Sequence, residues 1–139
     1  MNDRQQLAMA KRVLAGLAAG ELDPGFFSED FTFFADLTGR LDRQDFVAGV
    51  AQMKTILQAP LTMRAIASTQ QGRRLALEAE SVGVLIDGSE YRNSYHFLFV
   101  FDDTGKVNYL REYNNTRVVV ELMWPLFESQ GGFGTPTEL

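Results

Sequence analysis

The apolar positions of this chain change period several times. Leu7, Ala10, Leu14 and Leu17 fall at helical spacing, and Gly20 stands where such a helix would stop. Asp23-Pro24 reads as an N-cap followed by proline at the first helical position, opening a short helix through Phe26 and Phe27. Over residues 30–37 the period drops to two, with Phe31, Phe33 and Ala35 on one face of a strand that Gly39 ends. Asp42 can cap a third helix whose apolar face is Phe46, Val50, Met53 and Leu57, with Pro60 as the stop.

Beyond Pro60 the pattern predicts strands over 61–70, 73–86, 90–102 and 106–117, separated by Gln71-Gly72, Asp87-Gly88 and the turn at Asp103–Gly105. The third is aromatic along one face: Tyr91, Asn93, Tyr95, Phe97, Phe99 and Phe101 alternate without a break. Residues 118–127 fit two descriptions. Their three valines favour a strand, while Thr116 can cap a short helix, and Pro125 ends either.

Helices first and an antiparallel meander afterwards make an α+β fold: a cone-shaped, curved antiparallel sheet with three N-terminal helices on its concave face. Residues 1–128 form one domain, and the Gly-rich residues 129–139 are expected to be a mobile tail. Three helices do not fill the wide end of such a cone, so a pocket of roughly 300–1,000 Å³ is expected there.

Composition narrows the chemistry. The net charge of −5, with scattered Lys and Arg, points away from nucleic acid and from acidic membranes. The absence of cysteine excludes disulfides, zinc thiolates and thiol nucleophiles, and fits a cytoplasmic protein. Charges inside the first apolar pattern exclude a signal-peptide core, and no apolar run approaches the ~20 residues of a membrane helix. One histidine without a carboxylate cluster predicts no metal site, and no phosphate-cradling loop is present, so no cofactor is expected.

The element order, together with Tyr91-Arg92-Asn93-Ser94-Tyr95, the following Phe-x-Phe, Gly105-Lys106-Val107 and Arg111-Glu112-Tyr113, resembles the nuclear transport factor 2-like superfamily in its SnoaL-like, ketosteroid isomerase-like branch. The resemblance covers about residues 5–123. It implies a pocketed cone, homodimers packed through the sheet backs, and chemistries that include isomerases, polyketide cyclases, dehydratases and epoxide hydrolases, alongside non-enzymatic modules. Of the isomerase residues, only the base ending the first strand has a counterpart, Asp36, displaced by one position. The helix-one tyrosine falls near Val13 and the second aspartate near Phe97. The epoxide hydrolase positions fall near Ser81, Gly83 and Asn115.

The candidate catalytic residues are therefore Asp36 as base, with Tyr113 and Asn115 polarising the substrate together with Tyr95. Strand parity puts Arg111, Tyr113 and Asn115 on one face as a polar wall, and Asn93 and Tyr95 at the pocket mouth. Phe31, Phe33, Phe97 and Phe99 are expected to line the cavity. His96 falls on the other face with Leu98 and Val100. With Val82, Val84 and Ile86 these make an apolar back and predict a homodimer. The function expected is a cofactor-independent isomerase, cyclase or lyase acting on a small, largely apolar oxygenated molecule. The alternative is a non-catalytic ligand-binding or dimerisation module of the same fold. An enzyme needs a carboxylate or imidazole inside the pocket; a binding module does not.

Overall fold

The computed structural model describes residues 1–131. Helix α1 spans Asp3–Ala19. Asn2 opens it with a reciprocal cap: its side chain accepts from Gln5 N at 2.9 Å, and the Gln5 side chain accepts from Asn2 N at 2.8 Å. Gly20 closes it with φ at 74°, a conformation that a side chain would strain. Asp23 and Pro24 start a single 3-10 turn, Pro24–Phe26. Asp42 caps helix α2, Arg43–Met53, by accepting from Asp45 N at 2.8 Å.

The strands are β1 (Phe27–Ala35), β2 (Gly39–Asp42), β3 (Thr62–Gln71), β4 (Arg74–Val84), β5 (Glu90–Phe101) and β6 (Val107–Asn114). They form one curved sheet in the order β2-β1-β6-β5-β4-β3, with the helices packed on it in an α+β arrangement. Two features depart from the sequence reading. The four-residue β2 falls where only a loop was expected, and β1 runs parallel to β6, so the sheet is mixed. A crossover pairing between residues some 80 positions apart leaves no local pattern to read.

The hydrophobic core lies between α1, α2 and the inner face of the sheet. Phe46 on α2 stacks on Phe33 with ring centroids 4.3 Å apart and meets Phe31 at 5.5 Å. Along β5, Phe97, Phe99 and Phe101 are fully buried, as their alternation predicts. A Cβ on Gly83 would lie 2.4 Å from Leu61 Cδ2, so the bare backbone lets Leu61 reach the inner face.

After β6 the chain turns helical. Thr116–Val118 is followed by a π-helical stretch, Val119–Met123, and then a helix over Trp124–Ser129. Pro125 sits at the start of that last helix and does not end the segment. Proline has no N–H for the carbonyl four residues back, and its ring crowds that carbonyl. The chain widens there instead, with Trp124 N donating to Val119 O five residues behind. Ser129 is helical, so the tail boundary expected at 129 shifts; residues 132–139 of that tail lie outside the described residues.

Candidate active site

One face of β6 decides what the site contains. Beginning at Val107, which is buried, simple alternation would turn Tyr109, Arg111 and Tyr113 inwards. The pairing with β5 shows otherwise: Phe101 opposes Val107, but Val100 opposes Tyr109, which leaves Asn108 as an extra residue. A bulge of one residue exchanges the two faces of everything beyond it. Leu110, Glu112 and Asn114 therefore join the inner face, beside Phe99, Phe97 and Tyr95. Asn108 ties the bulge down, donating to Ser28 Oγ at 3.1 Å and to Asp30 Oδ1 at 3.0 Å on β1.

The inner face and the helices enclose a cavity of about 120 Å³. An apolar cavity of roughly 150 Å³ takes up benzene, so this one suits a molecule built on one ring. It is smaller than the sequence predicts, because the C-terminal helical segment closes the wide end with Val119, Met123, Trp124 and Phe127. Phe33, Phe46, Phe97, Tyr91 and Tyr95 supply aromatic walls, and Leu61, Met63 and Met53 complete the apolar lining.

Among the described residues, Glu112 and Asp36 are the carboxylates that reach this cavity, and no Arg, Lys or His lines it. Burial raises the Glu112 pKa above the ordinary carboxylate value, opposed by a hydrogen bond from Asn114 Nδ2 at 2.6 Å. No ion pair compensates it among the described residues. Asn114 Oδ1 beside it is a buried acceptor with no donor. Two phenols complete the polar wall. Tyr95 Oη lies 2.7 Å from Ser81 Oγ, and Tyr91 Oη accepts from Asn93 Nδ2 at 2.8 Å. Burial drives both phenol pKa values up, far beyond the usual range for Tyr95, and the nearby Glu112 charge pushes each in the same direction. Both phenols therefore keep their protons and act as hydrogen-bond donors.

The expected site residues separate into two groups. Phe33, Tyr95, Phe97 and Asp36 border the cavity. Phe31 and Phe99 are core residues, 2% and 0% exposed, that do not form its wall. Asn93 stands behind the wall: it holds Tyr91, accepts from Asn115 N at 3.0 Å, and donates to Asn115 O at 3.3 Å. Arg111, Tyr113 and Asn115 do not form the expected polar wall. Arg111 and Tyr113 are turned outwards by the Asn108 bulge, and Asn115 follows the strand, exposed, meeting the interior through its backbone. Asp36 is held at the rim. It accepts from Arg111 Nη2 at 3.2 Å with 55% of its side chain exposed. The same guanidinium lies 3.8 Å over the Phe34 ring and 4.7 Å over Tyr113.

Glu112 is the group that sequence reasoning passed over. Its inward placement shows in the sequence only as buried Val107 and Leu110 standing three apart, a break in the alternation. On the outer face, Val84 and Ile86 are 42% and 44% exposed, His96 is exposed, and Val82, Leu98 and Val100 are partly covered. No group of three or more His, Cys, Asp or Glu among the described residues is arranged to hold a metal ion, and no described helix is long and apolar enough to cross a membrane.

Comparison with solved structures places the fold. A candidate isomerase from Bacillus subtilis superposes with a TM-score of 0.74 at 18% identity, over 87% of this chain and 94% of that one. A candidate SnoaL-like polyketide cyclase from Jannaschia sp. CCS1 gives 0.71 at 14%, over 84% and 90%. A protein of ketosteroid isomerase-like fold from Catenulispora acidiphila DSM 44928, solved with trimethylamine, gives 0.65 at 12%, over 76% and 83%. The chain thus has the nuclear transport factor 2-like fold. No protein-family model and no curated sequence matches it.

Proposed function

We propose that this protein is a cofactor-independent enzyme of the isomerase, cyclase or lyase type, acting by proton transfer on a small, largely apolar oxygenated molecule. The observation that carries this reading is Glu112, a carboxylate inside an aromatic cavity with its pKa raised by burial. A raised carboxylate pKa brings the group towards the operating pH, where taking and returning a proton are both efficient. Asn93 donates to Tyr91, and Tyr91 and Tyr95 also interact with each other, so the phenol pair keeps one O–H to offer when Ser81 donates to Tyr95. That phenol pair, aimed at a substrate oxygen, would stabilise charge developing there while Glu112 takes a proton from a neighbouring carbon. In this reading Glu112 takes the role that the sequence assigned to Asp36, and Tyr95 keeps the polarising role that the sequence gave it together with Tyr113 and Asn115.

The test is deuterium incorporation from solvent into a panel of small cyclic ketones, followed by NMR. Incorporation above the buffer rate, lost in Glu112→Gln, is the expected result. Incorporation no faster than buffer across the panel would favour the non-catalytic binding module.

The homodimer belongs to the same proposal. Leu98 and Val100 on β5, with the exposed Val84 and Ile86, give the outer face its apolar character. Sedimentation at micromolar concentration is expected to show a dimer that Leu98→Asp dissociates; a monomer throughout would refute it.

A further inference from the structure

The charge balance of the cavity specifies a kind of ligand. Among the described residues its titratable lining groups are Glu112 on β6, Asp36 after β1, and Tyr91 and Tyr95 on β5; α1, α2, β3 and the described C-terminal helical segment contribute none. Asp36 already has its cation in Arg111, on the far side of the sheet. Glu112 has only the Asn114 amide. A carboxylate withdrawn from water is normally paired with a positive group as well as hydrogen-bonded. Here the chain supplies the hydrogen bond and omits the positive group.

The surroundings suit a cation that arrives from outside. Tyr95 and Phe97 stack with centroids 5.4 Å apart and, with Phe33, present ring surface to the cavity. Aromatic faces attract ammonium groups, most strongly where water is excluded. Asn114 Oδ1 remains without a donor next to the carboxylate. An ammonium would bring a donor for that oxygen together with the positive charge that the described lining lacks.

We infer that the cavity binds a small molecule carrying a protonated amine on a single apolar ring, the ammonium pairing with Glu112 and lying against the Tyr95–Phe97 stack. This goes beyond the proton-transfer reading but rests on its assignment of Glu112 to the cavity. In the working enzyme such an amine is a competitive inhibitor, because it holds the base ionised and occupied. Carboxylates and phosphates are refused, since no cation awaits them.

Three probes of one size test the inference on the full chain: benzylamine, benzyl alcohol and benzoate, titrated calorimetrically at about pH 8, where alkylamines are protonated. Benzylamine is expected to bind at least about tenfold more tightly than benzyl alcohol, with benzoate weakest. In Glu112→Gln, benzylamine should fall to the level of the alcohol, whose own affinity stays within about twofold. A second measurement needs no variant: in the unaltered protein the amine-to-alcohol ratio should fall as acid titrates Glu112. The inference is overturned if benzylamine binds no better than benzyl alcohol, if the preference survives in Glu112→Gln, if the ratio ignores pH, or if none of the three binds. Deuterium exchange on the same samples separates the two readings. Amine preference without exchange removes the enzyme and leaves this site; exchange without amine preference does the reverse.

Discussion

Asp36 and Glu112 are both carboxylates at the edge of one cavity, and Ala35 lies directly opposite Glu112 on paired strands. Their circumstances are opposite. Asp36 is half in water and bound to Arg111, which is itself spread over two aromatic rings. Glu112 is mostly buried in the cavity wall, carries no ion pair among the described residues, and has its pKa pushed up by burial. Being next to a cavity does not make a carboxylate a base. What matters is which protonation state the surroundings favour, and burial moves Glu112 towards the protonated one.

The widest gap between the two should appear in turnover. Glu112→Gln keeps the shape and removes the proton acceptor, and is expected to lower the rate about 10²–10⁴-fold, read from the deuterium-exchange assay. Tyr95→Phe removes one donor to the substrate oxygen and leaves Ser81 Oγ without its partner. A loss of about 10–100-fold in rate is expected, with about 1 kcal/mol of stability read from urea denaturation.

Stability against pH separates the pair in a different way. The folded-state pKa of Glu112 lies above its unfolded value, so its contribution is fully present below the unfolded value and is lost as pH rises through the folded one. Glu112→Gln should therefore melt like the parent in acid and higher than the parent once pH passes the Glu112 titration. Equal melting temperatures at every pH would show the carboxylate to be no burden on the fold. The smallest effect belongs to Asp36→Asn. It breaks a half-exposed ion pair worth about 0–1 kcal/mol and should change the exchange rate less than about threefold. A rate loss as large as that of Glu112→Gln would reverse the assignment of the two carboxylates.

Much of the architecture was legible because its signals are local. Gly20, Asp23-Pro24 and Asp42 mark helix ends through their own backbone and side-chain chemistry, and the β5 aromatics announce their face by strict alternation. The parallel pairing of β1 with β6 was not legible, since it depends on where two distant segments meet. Pro125 misled because a proline can begin a helical turn as well as end one. The site was only half legible, and for a single reason. Phe33, Tyr95 and Phe97 lie in stretches where parity holds, whereas Arg111, Tyr113 and Glu112 follow the extra residue at Asn108. A bulge is a matter of counting between two strands, and one strand's sequence does not contain the count.

The Asn108 bulge also bears on how proteins of this shape could diversify. A one-residue deletion in the β5–β6 hairpin would leave the core rings of β5 in place and turn β6 over. Arg111 and Tyr113 would then enter the cavity and Glu112 would leave it. The buried carboxylate of β6 would give way to a fixed guanidinium cation without a single amino-acid substitution. The chemical character of the pocket is in that sense encoded in the length of a hairpin outside it, so a lineage could trade one substrate class for another through a single codon lost or gained.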